Sequence, residues 1–363
     1  MVDLLMLFVM VALLIAVVIM FYNALTNHDQ KVTLQSQLIT AAQKLATLSV
    51  TQGSFPASFS STGIIPVNGT RFGYHPNGDG YCLSSTDGTV TYKVSNTDTV
   101  PSPGACDCLP GFILVPGNTL YGTSDFCIMK YEAKQGMNGV PVSQINGQPW
   151  TSISQEKAMS ESRLVAACNG CHLMSNGEWM TIATDIASVG SNWNSGIVGL
   201  GSLYQGHVTS DPAAPLAAGY DNDGGAGETG TKQTRILTLS NGNMIWDFSG
   251  NVAEWTSGYI SAGQMPGVVD STSSGWHEWT DPQLVTHGFT GQISPAASGL
   301  SGSAKWGTTA GVGGIDSFYN ASSDKAYVRG GSYSDGQWAG IWSLNLTYAP
   351  TDSSPAIGFR VAY

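Results

Sequence analysis

From Leu4 to Asn27 the chain carries no charged side chain, and Leu, Val, Ile, Met, Phe and Ala dominate. At about 1.5 Å per residue, such a run folded as a helix spans the roughly 30 Å hydrocarbon core of a bilayer. No basic segment precedes it and no small-residue cleavage site follows it, so it does not read as a conventional signal peptide. The helical pattern continues past the polar boundary. Leu34, Leu38, Ala41, Leu45 and Leu48 recur on one face, and no Gly or Pro interrupts until Gly53. The spacing predicts one helix over 1–50, apolar in its first half and amphipathic in its second. Its oily half needs a bilayer or an assembled protein core around it.

Beyond Gly53 the period shortens. Over 51–105, Gly53-Ser-Phe-Pro56, Tyr74, Tyr81-Cys-Leu83 and Tyr92-Lys-Val94 read as a small strand-rich head, and the stretch from Val100 to Cys106 reads as a linker. The remainder, 106–363, is long enough for its own core. It mixes short strand-like runs, such as Arg235–Asn243, with Gly/Asn/Asp turns. Two helical patterns stand out, Ser154–Ala167 and Ser175–Ser188, the second opening on a Ser175…Glu178 capping-box pattern. The expected fold class is α+β: a long N-terminal helix with a small β-rich head, then an irregular α+β domain.

Composition narrows the function. Charged residues are scarce and the net charge is −11, which offers no electrostatic footprint for nucleic acid. Six cysteines in an oxidising compartment pair as disulfides, with fifteen connectivities open. Cys168 and Cys171 are spaced for a local bridge. A zinc half-site there would need a second CxxC, and Cys106-Asp-Cys108 is a CxC. Cys82, Cys106, Cys108 and Cys127 bracket the junction between head and larger domain.

The apolar stem and small head together resemble a type IV pilin. The resemblance implies a stem buried in a filament core through Leu4, Leu5, Phe8, Leu13, Leu14 and Phe21, against copies of the same chain. Pilins usually carry a Glu near the mature start that pairs with a neighbouring amino terminus. Here the only acid in that region is Asp3.

The larger domain carries five landmarks in order: Gly111–Gly117 with Phe126–Glu132, Asn176-Gly-Glu-Trp179, Trp246–Trp255, Arg329-Gly-Gly-Ser-Tyr333, and Ile357-Gly-Phe-Arg-Val361. Over about 109–363 they resemble the formylglycine-generating enzyme (sulfatase-modifying factor) family, which implies a variant C-type lectin fold. That family works with two copper-binding cysteines just after the Gly-Gly-Ser-Tyr strand. Here Asp335 and Gly340 stand at those positions and no Cys follows Cys171, so no copper and no catalytic residues are expected. No other catalytic string is present. The resemblance also implies a structural Ca²⁺ on Asp247, Glu254 and the carbonyls of Gly250 and Val252. Those oxygens suit the ion, but the two carboxylates could equally cap turns beside Trp246 and Trp255. Asp221–Gly224 reads as a solvated turn. Trp276, His277 and Trp279 could line a sugar-binding groove, although two Trp plugging a surface loop is the plainer reading. Asn68, Asn320 and Asn345 begin glycosylation sequons.

Joined, these features lead to the expectation of a structural subunit of an extracellular pilus-like filament, membrane-inserted before assembly. Its lectin-like domain would meet a host or surface glycan or protein ligand. The alternatives are a minor or tip pilin-adhesin and a membrane-tethered ectodomain or ectoenzyme.

Overall fold

A computed structural model describes residues 29–56, 59–67, 70–77, 80–87, 90–104, 106–165, 168, 170–219, 223–226, 232–268, 275–287, 293–295 and 307–363. The uncharged run and the expected assembly residues Asp3, Leu4, Leu5, Phe8, Leu13, Leu14 and Phe21 lie outside these, as does Asn68. No helix among the described residues is long and apolar enough to cross a membrane. The fold is mixed α+β, with many short strands and few helices. It divides into two compact units, Met1–Cys106 and Asp107–Tyr363.

In the first unit, residues 29–52 are helical (α1). Leu34, Leu38, Ala41 and Leu45 are all fully buried, the face their spacing defines. Gly53 ends the helix in the left-handed region, at φ 77°, and its N–H donates to the Ser49 carbonyl at 2.9 Å. The apolar face packs on an antiparallel meander of β1 (Arg71–Asn77), β2 (Gly80–Thr86), β3 (Thr91–Ser95) and β4 (Ser102–Pro103), in that order. Tyr74, Leu83 and Val94 align across three strands, and Phe72 and Tyr92 flank them in the next row. Alternation therefore turns this set toward α1 and its neighbours away. A disulfide from Cys82 to Cys106 ties β2 to the end of the unit.

The second unit contains a four-stranded and a six-stranded sheet. In the first, the order is Phe112–Val115, Phe126–Met129, Val361–Ala362, His172–Leu173, so the chain's end is an inner strand. In the second, the order is Gly275–His277, Ile315–Ser317, Leu344–Asn345, Lys325–Arg329, Ala253–Ile260, Ile357–Phe359. Helix α2 (Gln155–Ser162) is capped by the Ser154 hydroxyl, which accepts from Lys157 N–H. It ends at Ser162, before the expected Ala167: Arg163 and Leu164 form a turn, and Leu164 is exposed. Helix α3 (Asn176–Ala187) has the full capping box between Ser175 and Glu178. Trp179 of α3 is fully buried, stacks on Phe248 at 3.9 Å and donates its indole N–H to the Ile341 carbonyl at 2.7 Å.

Replacing Leu38 by Ala removes a fully buried side chain from the helix–sheet interface. The expected loss is about 2–5 kcal/mol in the first unit, read as a shift of its transition in denaturant unfolding of the full chain.

Candidate functional site

Two constellations in the second unit gather charge and polar chemistry. The first surrounds the 247–254 loop. Asp247 and Asn251 both adopt left-handed backbone, at φ 53° and 62°, and Gly250 sits where a Cβ would meet the carbonyls of His207 and Gln205. This tight loop carries its acids inward. Asp247 accepts from Arg235 Nε at 2.6 Å and Nη2 at 2.7 Å, and both side chains are buried. Glu254 accepts from Arg360 Nε at 2.9 and 3.1 Å, again with both buried. Glu132 receives Asn251 Nδ2 at 2.6 Å and Val252 N–H at 3.2 Å. Burial pushes the Glu132 carboxyl well above the usual range, and the charges of Asp247 and Glu254 add to this while Arg360 and Lys134 oppose it. Burial likewise raises Glu254, to about 7, against the pull of Arg360.

The two carboxylates expected as calcium donors are therefore committed. Asp247 and Glu254 each neutralise an arginine, so the pair does not offer a free dianionic shell, and the residues do not fit the ion as arranged. They do more than cap turns: they anchor a buried ionic network. Sequence reading placed both acids in one loop but missed Glu132, Arg235 and Arg360.

The second constellation is a pocket on the six-stranded sheet. Register sets its floor: Trp276 lies opposite Asp316, Asp316 opposite Asn345, and Asn345 opposite Val328. Cross-strand partners face the same side, so these four form one row. Trp276, Asn345 and Val328 of this row, with the turn after Arg329, line a cavity of about 80 Å³ together with Ser332, Ser334, Asp335 and Tyr348 among others; Asp316 is not one of its lining residues. Gly331, at φ 72°, makes that turn where a Cβ would strike Ala339. Asp335 Oδ2 accepts from Ser332 N–H at 2.6 Å and Oγ at 2.9 Å. Asn345 Nδ2 donates to Asp316 Oδ2 at 3.4 Å, while the buried Asp316 Oδ1 has no hydrogen-bond partner among the described residues. Burial pushes the Asp316 carboxyl up to about 6; the Asp335 charge adds to the rise and His277 opposes it.

The three residues expected to line a groove separate. Trp276 borders the pocket but stacks on Trp338, with centroids 5.7 Å apart and planes 15° apart. His277 Nδ1 faces Asp281 Oδ2 at 3.3 Å. Trp279 packs against the hydrophobic core. Asp335 belongs to the pocket. Gly340 does not reach it: a Cβ there would lie 2.2 Å from the Val312 carbonyl carbon, so no side chain fits.

The six cysteines form Cys82–Cys106, Cys108–Cys127 and Cys168–Cys171, each bridge closing within one unit. Asn320 is exposed in a turn. Asn345 is half-buried, and its Oδ1 accepts from Thr347 N–H and Oγ1 at 2.9 and 2.6 Å. Those bonds and the one to Asp316 occupy the amide that a glycan would need.

No family model and no curated protein matches the chain. Among solved structures, the Major Tropism Determinant I1 variant aligns over 82% of this chain and 73% of its own, at 11% identity and TM-score 0.34. The P3c variant aligns over the same shares at 10% identity and TM-score 0.34. PvdO from Pseudomonas aeruginosa aligns over 69% of this chain and 89% of its own, at 14% identity and TM-score 0.28. At these scores the likenesses do not assign a fold family.

Replacing Arg360 by Gln leaves Glu254 buried without its cation and is expected to cost about 3–5 kcal/mol in thermal or denaturant unfolding. Chelator or added Ca²⁺ is expected to leave the wild-type melting temperature unchanged, since the loop acids already hold arginines. The Asp316 carboxyl yields a pH signature. The folded value of Asp316, about 6, lies above its ordinary 3.8, so the folded state binds the proton more tightly. Stability from this group is fully present below about 4 and declines as pH rises through about 6. Asp316→Asn is expected to flatten that decline and to stabilise the protein at neutral pH by about 1 kcal/mol, measured by denaturation on either side of the window.

Proposed function

We propose that the chain is a subunit of an extracellular type IV pilus-like filament that displays its second unit as a lectin-like adhesive domain. One observation carries the reading: an uncharged run at 4–27 leads into a helical segment whose buried face closes over an antiparallel meander pinned by Cys82–Cys106. That plan makes sense if the apolar half packs among copies of itself, because a heterologous contact repeated along a screw axis builds an open filament. The same run would hold the subunit in a membrane before assembly. The paired cysteines suit an oxidising exterior. A structural role rather than catalysis is supported by Gly340, where close backbone leaves no room for a thiol. The adhesive role draws on the pocket beside Trp276, which offers hydroxyl, amide, carboxylate and indole groups in one small recess.

The size of the displayed unit, Asp107–Tyr363 against Met1–Cys106, favours a second reading, a tip or minor subunit present in few copies. Electron microscopy of filaments sheared from cells, with composition read by mass spectrometry, separates the outcomes. The chain is expected to dominate a filament decorated along its length. Trace amounts at the ends of a thinner filament would establish the minor-subunit reading. Retention of all the protein in the membrane fraction would sink both in favour of a tethered ectodomain.

A further inference from the structure

Resting on the filament reading, we propose that the 194–202 loop of the second unit is a docking knob, received by an apolar groove on the first unit of a second copy of the chain. The loop is held at its base. Trp193 and Leu203 pair as a short antiparallel bridge within the core, and the Trp193 indole N–H donates to the Ala187 carbonyl at 2.9 Å. Asn194 and Ser202 close the neck: Asn194 N–H donates to the Ser202 carbonyl at 2.9 Å, and Asn194 Oδ1 accepts from Ser202 N–H at 3.1 Å. Inside the loop, Ser195 Oγ donates to the Leu200 carbonyl at 2.6 Å and accepts from Ile197 N–H at 3.1 Å. The tip that this frame presents is aliphatic. Ile197, Val198 and Leu200 are 59, 39 and 50% exposed. A tip already fixed in shape loses little conformational entropy on docking.

The groove lies beside α1, lined by Ile39, Ala46, Phe55, Tyr81, Val100 and Pro101 among others. Its volume of about 480 Å³ has room for about sixteen water-sized groups at roughly 30 Å³ each, more than the side-chain carbons of the three tip residues. Charge points to a second copy as the occupant. At a net charge of −11, two copies repel wherever their charged surfaces meet, so self-contact is favoured where charge is absent. No Asp, Glu, Lys or Arg occurs from Ile186 to Ser210, and none of the described residues lining the groove is charged. An anionic lipid surface, by contrast, recruits Lys and Arg, which this loop lacks. Knob and groove are different surfaces, so their contact is heterologous and repeats without closing, as an open filament needs. Three half-exposed side chains bury far less than the roughly 1,000 Å² of a stable isolated pair, so the contact reinforces an assembly rather than making a dimer.

The test puts the photo-reactive residue benzoylphenylalanine in place of Leu200 in the full chain and illuminates intact cells that make it. Products at twice the subunit mass and above are expected, with position 200 joined to residues in 39–46 or 96–101. The reciprocal probe in place of Val100 is expected to capture residues in 194–202. Val100→Glu at the exposed groove rim should lower the yield from position 200 about tenfold, and Val198→Lys in the same chain should restore part of it. Met137→Glu, at an exposed apolar position elsewhere in the second unit, should leave the yield unchanged. Links confined to the monomer mass, links from position 200 to itself, to lipid or to another protein, or a yield that Val100→Glu leaves intact would each overturn the proposal. Electron microscopy of the same cells reports separately. Filaments without these links refute the docking contact alone, links between copies that never form filaments refute the filament reading alone, and the absence of both refutes both.

Discussion

Arg360 holds the second unit together. Its Nε meets both oxygens of Glu254, Nη1 reaches the carbonyls of Met129 and Lys130, and Nη2 donates to the Trp246 carbonyl. One guanidinium near the end of the chain thereby joins the four-stranded sheet, the 247–254 loop and the longest strand of the six-stranded sheet. Arg235 repeats the device from the other side of the loop, clasping Asp247 and the carbonyls of Leu216 and Ala217. Such buried pairs gain little net stability over apolar packing, because each ion loses its hydration. What they fix is geometry. A planar fork with five donors accepts only one arrangement of its neighbours, and misplacing any strand would leave a charge or carbonyl unpaired in the interior.

That fixed geometry reaches the pocket through strand register. Glu254 pairs with Arg329 across the sheet, Arg329 with Leu344, and Leu344 with Ile315. This row is buried, and its aliphatic members enter one core with Tyr327 and Leu346. The adjacent row runs Trp255, Val328, Asn345, Asp316, Trp276 and faces the opposite side. Near Trp255 that side is sealed by a second core with Ile357 and Phe359. Farther along the row Asn345 and Trp276 join Val328 and Ile357 in lining the recess. A one-residue slip would exchange the rows, turning Asp316 toward the core and Ile315 to the side of the recess. The ionic network and the candidate site therefore depend on the same register.

Local patterns were legible in the sequence where one element decides them. Leu34, Leu38, Ala41 and Leu45 are a helix face by spacing alone, and Ser175 with Glu178 marks the start of α3 without any tertiary context. Cys168 and Cys171 pair because nothing longer than a turn separates them. Legibility ended where partners are distant. Asp247 and Glu254 were identifiable as two acids in one loop, but Arg360 lies 106 residues from Glu254, and no local signal distinguishes an arginine clasp from a metal ion. Trp276, His277 and Trp279 looked like one cluster because they are adjacent in sequence. In a strand, adjacency puts neighbours on opposite faces, and only the pairing with Asp316 places Trp276 in the row that borders the pocket. The end of α2 differs for a related reason: its period persists on paper to Ala167, but the chain turns at Arg163 and Leu164.

The scarcity of cations links these parts. The chain has 14 Lys and Arg against 25 Asp and Glu, and Arg235, Arg329 and Arg360 are fully buried. Among the described residues Arg329 is held by neutral oxygens, and burial pulls its pKa down to about 9. The Asp335 charge helps to raise the neighbouring Asp316 carboxyl, and no Lys or Arg among the described residues lines the pocket that Asp335 borders. The three buried arginines thus take carboxylates as partners in two cases, Asp247 and Glu254, and neutral oxygens in the third.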